Sequence, residues 1–187
     1  MATMKTRLAI LACATAPFAL TAPVTAHAAG TVVTIELQDP SSEAHPADMT
    51  MILDHSVITA GPVTLHAINE SKRLMHEVIV FRDSKDPLPF NEATGRVVEK
   101  QMKSLGEISD LDPGAAGEKS FNNLGPGDYL LICNQANHMK GGMFARLKVV
   151  PAGTAITDDK PTTAMMAAPA TKAVKVDASA SDDDEGS

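Results

Sequence analysis

Residues 128–150 read DYLLICNQANHMKGGMFARLKVV, which is two apolar runs separated by a polar loop. Each run has the length and apolar content typical of a strand. The loop region carries Cys133, His138 and Met143 in a C-x4-H-x4-M spacing. A thiol, an imidazole and a thioether on one loop can bind the same metal ion. A fourth ligand would then have to come from elsewhere in the chain.

His76 is the predicted fourth ligand. It begins another predicted strand, residues 76–81, and shares its parity with Val78, so its side chain faces the core. Met143 likewise shares parity with the apolar residues of the last strand and points inward. His76 starts its strand, whereas Cys133 ends its own. If these strands run antiparallel, the two side chains meet at the same end of the sheet.

Two imidazoles, one thiolate and one thioether form the ligand set of a type 1 copper site, with Met as the weak axial ligand. One copper ion is therefore the predicted cofactor, although zinc also accepts Cys and His. The axial ligand stays open between Met143 and Met139, which directly follows His138. A thiol enzyme with Cys133 as nucleophile is a poorer explanation, because this cysteine ends a strand and a methionine points into its site.

Composition and the N-terminal sequence indicate where the protein is located and which partners it lacks. Residues 1–28 have the basic start, apolar middle and Ala-His-Ala end of a secretory signal peptide. They predict export to the periplasm and a mature form without a membrane span. Cys13 would leave with the signal, so Cys133 would have no partner for a disulfide. The net charge of −7 argues against a nucleic-acid partner, which requires a basic face.

Turn signals at regular intervals predict an all-β, Greek-key β-sandwich of seven to eight strands with one short helix. The sandwich is predicted to span residues 29–151, and the helix to lie within residues 97–108, where apolar residues recur at helical spacing. Residues 152–187 form an acidic tail rich in Ala, Asp and Ser that lacks aromatic residues. The tail is predicted to be disordered because it has little apolar surface to bury.

Across about residues 31–150, the sequence resembles the cupredoxin, or blue copper protein, family. The resemblance rests on Gly125-Pro-Gly-Asp-Tyr129 leading to Cys133, on the C-x4-H-x4-M spacing, and on the ending Gly-Gly-Met-Phe-Ala-Arg-Leu-Lys-Val. It is strongest to the sulfocyanin-like and rusticyanin-like bacterial members. By position, the resemblance implies that His76, Cys133 and His138 are equatorial ligands and that Met143 is axial.

The resemblance also implies roles for neighbouring residues. His138 would be the exposed ligand through which electrons pass, surrounded by a docking rim of Met139, Gly141 and Gly142. The residues expected to orient the ligands are Asn69, Glu77 and Asn134. Glu77 stands where many relatives have Asn, but its backbone N–H could still reach the Cys133 sulfur.

The implied function is that of a one-electron carrier and not of an enzyme. Expected partners are redox proteins such as a c-type cytochrome, a copper enzyme or an oxidase, bound by weak and transient docking. The carrier is expected to be a monomer. The alternative is a copper-binding, copper-resistance or delivery protein that holds Cu(I), with extra copper bound by the His45–His55 segment or by the tail.

Overall fold

The computed structural model describes residues 30–39, 49–157 and 168–174. Strands provide nearly all of the regular structure in these ranges, and the only helical element there is a 3-10 turn at Glu99–Gln101. The strands are β1 Thr31–Gln38, β2 Thr50–Leu53, β3 Val57–Thr59, β4 Gly61–Asn69, β5 His76–Arg82, β6 Leu88–Asn91, β7 Arg96–Val97, β8 Ser104–Leu111, β9 Ala116–Leu124, β10 Gly127–Ile132, β11 Phe144–Val150 and β12 Thr171–Ala173.

Nine of these strands form two facing sheets, with the orders β2-β1-β4-β9 and β3-β11-β10-β5-β8. Most neighbours are antiparallel, but β1 pairs in parallel with β4 and β3 pairs in parallel with β11. Alternate residues of each strand point between the sheets, so that Val33, Ile35 and Leu37 of β1 are fully buried. The predicted all-β Greek-key sandwich is confirmed, although its two sheets contain nine strands and not the predicted seven to eight.

The five-stranded sheet is buried on both faces. On β5, Val78 and Val80 belong to the core between the two sheets, whereas Ile79 and Phe81 belong to a second apolar cluster on the outer face. A third sheet of order β12-β6-β7 supplies Phe90 to that outer cluster. Continuous apolar runs such as that of β5 are expected when both faces of a strand are covered.

The predicted helix within residues 97–108 is wrong. The chain there makes the short 3-10 turn and then β8, which pairs with β5 from His76↔Leu111 to Phe81↔Ser104. A helix over this segment would leave the edge of β5 without hydrogen-bond partners. Gly106, at a φ of 153°, also suits an irregular strand better than a helix.

Part of the predicted disordered tail is a strand. β12 pairs in parallel with β6, flanked by bonds from Leu88 N–H to Ala170 O at 2.7 Å and from Val174 N–H to Phe90 O at 2.8 Å. Backbone pairing with an open strand edge needs few apolar side chains, so composition did not predict it. Residues 158–167 and 175–187 lie outside the described residues.

The predicted signal peptide, residues 1–28, also lies outside the described residues. Within the described ranges, no helix is long and apolar enough to cross a membrane.

A partly buried ion pair joins the loop after β5 to β11. Asp83 accepts hydrogen bonds from Arg146 Nε at 2.9 Å and from Lys85 Nζ at 2.5 Å, and its side chain is only 6% exposed. Burial alone would raise the pKa of Asp83, but these hydrogen bonds outweigh burial and lower it below its ordinary value. The ionised carboxylate is therefore the form that stabilises the fold.

We expect Asp83→Asn to reduce the free energy of unfolding at pH 7 by about 1–3 kcal/mol, because two charged donors lose their acceptor. The native carboxylate contributes stability above its unfolded pKa of about 4, and the contribution disappears as pH falls through the lower folded pKa. In urea denaturation, the difference in the free energy of unfolding between wild type and variant should therefore disappear below about pH 4. Asp86→Asn, in the same loop but exposed, is the control. A gap that persists unchanged at low pH would contradict the prediction.

Candidate metal centre

Three metal-binding side chains converge where β5 begins and β10 ends. His76 is the first residue of β5, Cys133 directly follows β10, and His138 lies in the loop between β10 and β11. β5 and β10 are antiparallel neighbours, with Ile132 opposite Ile79, so the start of one strand lies beside the end of the other. The donor atoms of the three residues all lie within 4.8 Å of one another.

The donor atoms form a nearly regular triangle. His76 Nδ1 lies 3.2 Å from His138 Nδ1, and the Cys133 sulfur lies 3.8 Å from His76 Nδ1 and 3.5 Å from His138 Nδ1. The circle through three points at these separations has a radius of about 2.0 Å, which is the length of a metal–nitrogen bond in proteins. The triangle therefore has the dimensions of a trigonal metal site.

Both imidazoles are neutral near pH 7. Burial, followed by the nearby His138, lowers the pKa of His76 to about 4. Burial, followed by the positive charge of Arg96, lowers the pKa of His138 as well. His76 is fully buried, and its Nε2 has no hydrogen-bond partner among the described residues. Neutral imidazole is the form that donates a lone pair to a metal ion.

Cys133 is fully buried, and burial raises the pKa of its thiol to about 12. Backbone N–H groups of Gln135 and Glu77 donate to the sulfur and partly oppose this rise. The Glu77 N–H was expected from the sequence. The Gln135 N–H was not, although a polar turn directly after a cysteine places the N–H two residues later within reach of the side chain. Without a cation nearby, the thiol stays protonated at neutral pH.

Met143 is held next to these donors by its backbone. Its carbonyl accepts a bond from the Cys133 N–H at 3.0 Å, and its own N–H donates to His138 O at 3.0 Å. Its side chain is fully buried in the same cluster as Cys133. Met139, the rival for the axial position, belongs instead to the outer cluster with Phe90. The geometry therefore favours Met143 as the axial ligand.

Asn69 supports the loop that leads to His76. Its side chain is fully buried and donates to Leu74 O at 2.9 Å and to Leu111 O at 2.8 Å, while its Oδ1 accepts the Ser71 N–H at 2.9 Å. Asn69 thereby fixes the backbone just before His76 without touching a donor atom. This placement agrees with a role in orienting the ligands.

Glu77 and Asn134 reach the centre in different ways. Glu77 touches the Cys133 sulfur through its backbone, while burial, followed by the charge of Glu99, raises the pKa of its carboxyl to about 7. Asn134 is 3% exposed and directs its side chain away from the donors towards Val97.

Two of the three residues of the predicted docking rim are buried. Met139 is 1% exposed because its side chain fills the outer cluster, and Gly141 is buried by the loop. Only Gly142 is partly accessible. The exposed apolar side chain next to the ligands is Met75, which precedes His76 and is 41% exposed.

The residues of the predicted extra copper-binding segment are not gathered into a site in the described part of the chain. Met49 and Met51 are buried in the core, and His55 is exposed. His45 lies outside the described residues. Within those residues, His76, Cys133 and His138 form the only cluster of His, Cys and carboxylate side chains that could hold a metal ion.

Several solved structures are similar to this chain. Auracyanin from Roseiflexus castenholzii is 18% identical with a TM-score of 0.43, and the match covers 66% of this chain and 99% of that one. A reduced rusticyanin is 15% identical with a TM-score of 0.49, covering 66% and 82%. Rusticyanin from Thiobacillus ferrooxidans is 13% identical with a TM-score of 0.47, covering 64% and 76%.

No protein-family model matches the sequence, and no curated protein sequence is similar to it. The TM-scores lie below 0.5. The identification of the candidate centre therefore depends on the donors of this chain alone.

We expect the affinity of the metal-free protein for Zn²⁺ to rise about tenfold between about pH 7.5 and 8.5, because one bound proton must leave and Glu77, with a pKa of about 7, is then mostly ionised. That proton comes from Cys133, whose pKa is about 12, since His76 with a pKa of about 4 has already lost its own. Competition with a chelator at several pH values measures the slope. Cys133→Ser should weaken binding sharply. A slope near zero, or near two decades per unit, would contradict this account.

Proposed function

We propose that this cupredoxin-like chain is a type 1 copper protein that carries single electrons between redox partners in the periplasm. The observation that carries the proposal is the donor triangle of about 2.0 Å radius, built from two imidazoles and a thiol, which suits a trigonal His2Cys site. Bound copper would supply a Cu(II)/Cu(I) couple that accepts and releases one electron.

The donor set suits both oxidation states. The soft sulfur of Cys133 favours Cu(I), and the two imidazole nitrogens keep Cu(II) acceptable. Met143 offers a further thioether from within the core. Three of these four residues, His76, Cys133 and Met143, are fully buried, so water is kept from the site. A buried and preformed site changes little when its charge changes by one.

His138 is the ligand nearest the surface. It is half-buried, while His76 and Cys133 are fully buried. Together with exposed Met75 and partly accessible Gly142, it forms a small surface through which an electron can enter or leave. Small and partly apolar contact areas are typical of transient redox encounters. A c-type cytochrome, a copper enzyme or an oxidase would be suitable partners.

The high pKa of Cys133 supports a carrier over a thiol enzyme. A nucleophilic cysteine needs a lowered pKa and access to substrate. Here burial raises the pKa to about 12 and leaves the sulfur fully buried. The thiolate is therefore expected only with a bound metal ion, which is a property of a ligand.

Loading the metal-free protein with Cu(II) should give one tightly bound ion and an intense visible band from thiolate-to-copper charge transfer. Cys133→Ser should abolish the band, whereas Asn122→Ala, exposed on β9, should leave it unchanged. Optical and EPR spectra with a copper titration provide the measurement. Several bound copper ions without the band would favour the copper-handling alternative and contradict the proposed electron-carrier function.

Met143→Leu should keep the visible band and raise the reduction potential, because Cu(I) is stable with three ligands whereas Cu(II) is destabilised by loss of the fourth, and the axial ligand tunes the potential. Leu is close to Met in volume, so the core should tolerate the change. Met139→Leu is the matched control, because Met139 is also buried but lies in the outer cluster. Voltammetry of the copper-loaded proteins measures both. A larger shift in the Met139 variant would reverse the axial assignment.

A further inference from the structure

The loop that carries the ligands is held from outside the sandwich by a neighbouring segment. We call residues 133–143 the ligand loop and residues 91–99 the clamp segment. The clamp segment contains β7 and belongs to the third sheet, with Phe90↔Val97 and Asn91↔Arg96 paired between β6 and β7. The other edge of β7 faces the ligand loop.

Asn134, the residue after the copper-site cysteine, occupies that edge. Its Oδ1 accepts the Val97 N–H at 2.6 Å, and its Nδ2 donates to Val97 O at 3.0 Å. The amide side chain thus satisfies both backbone groups of Val97, as a neighbouring strand would. Nδ2 also donates to Glu99 Oε1 at 2.6 Å. Because Asn134 is 3% exposed, losing these bonds would leave buried polar groups unpaired.

Arg96 holds the next residues of the ligand loop. Its Nη1 donates to Asn134 O at 3.1 Å, and its Nη2 donates to Gln135 Oε1 at 3.0 Å. Gln135 is the residue whose backbone N–H donates to the Cys133 sulfur. Its side chain is also tied to β8 through Asp110 Oδ1 at 3.2 Å. The peptide between Asn134 and Gln135, whose N–H faces the sulfur, is therefore held both through its carbonyl oxygen and through the Gln135 side chain.

A third contact between the clamp segment and the ligand loop lies next to His138. The Asn137 N–H donates to Gly95 O at 2.8 Å. Gly95 has a φ of 69°, and a Cβ added there would lie 2.5 Å from Asn137 Oδ1, so only glycine permits this approach. Further along the loop, Lys140 Nζ bonds Glu92 Oε2 at 2.7 Å.

We propose that the clamp segment sets the geometry of the copper centre, with Asn134 and Arg96 as positioning residues that hold the Gln135 N–H against the Cys133 sulfur. The inference rests on the proposed copper function for its redox consequence. A hydrogen bond to the thiolate reduces its electron donation and so favours Cu(I). Loosening the clamp weakens that bond, which lowers the reduction potential and makes the preformed donor triangle less regular.

The test uses the full-length chain with Asn134→Ala and, separately, Arg96→Lys, which keeps the charge but cannot form the forked pair of bonds. Both should lower Zn²⁺ affinity by about 10-fold or more, as expected when groups that orient metal ligands are lost. After copper loading, both should show a lower reduction potential and a shifted visible band. Asn122→Ala, exposed on β9, is the control and should match wild type in every measurement.

The outcomes separate the clamp from the copper function. If both variants fold and keep the wild-type Zn²⁺ affinity, potential and band, the clamp is refuted while the copper function stands. If wild type binds copper without the visible band, the carrier function fails, and Zn²⁺ affinity still decides whether the clamp positions the donors. Should Asn134→Ala fail to fold, the charge-conserving Arg96→Lys decides in the same way.

Discussion

The burial of one thiol between two imidazoles is the constraint on which the rest of the structure depends. A buried Cys133 with a pKa of about 12 has no route to a thiolate at neutral pH unless a cation takes the place of its proton. His76, with a pKa of about 4, is neutral at pH 7 and can bind the same cation. The three donors are thus arranged so that a metal ion can bind between them. The sandwich buries the donor side chains, and the antiparallel pairing of β5 with β10 brings them together.

The five-stranded sheet makes this burial possible because it is covered on both faces. The inner face packs on the four-stranded sheet, and the outer face packs on the third sheet through Phe90 and Val97. The third sheet therefore has two roles. It removes the outer face of the central sheet from water, and its open edge at Val97 receives Asn134 from the ligand loop. Core packing and the position of the donors are consequently linked.

Local patterns in the sequence predicted the inner face well. Alternation placed His76 and Met143 towards the core, and β11 forms in the second of the two apolar runs within residues 128–150. The errors arose where long-range pairing overrides local pattern. Helical spacing around Leu105 could not reveal that β5 needs an edge partner, and the tail's composition could not reveal that β6 offers one. Met139 was misplaced for the same reason, because a second apolar layer is visible only once the third sheet is formed.

The short strand β12 has a consequence for the behaviour of the chain in solution. An open strand edge is a template on which a second molecule can add, and proteins commonly protect such edges. β12 covers the edge of β6, whose Leu88 and Phe90 are buried and apolar, and presents exposed Lys172 outward. A charged residue on an outer edge discourages further pairing. β12 thus occupies an edge of β6 to which a second molecule could otherwise add, and a chain shortened before Thr171 would leave that edge open.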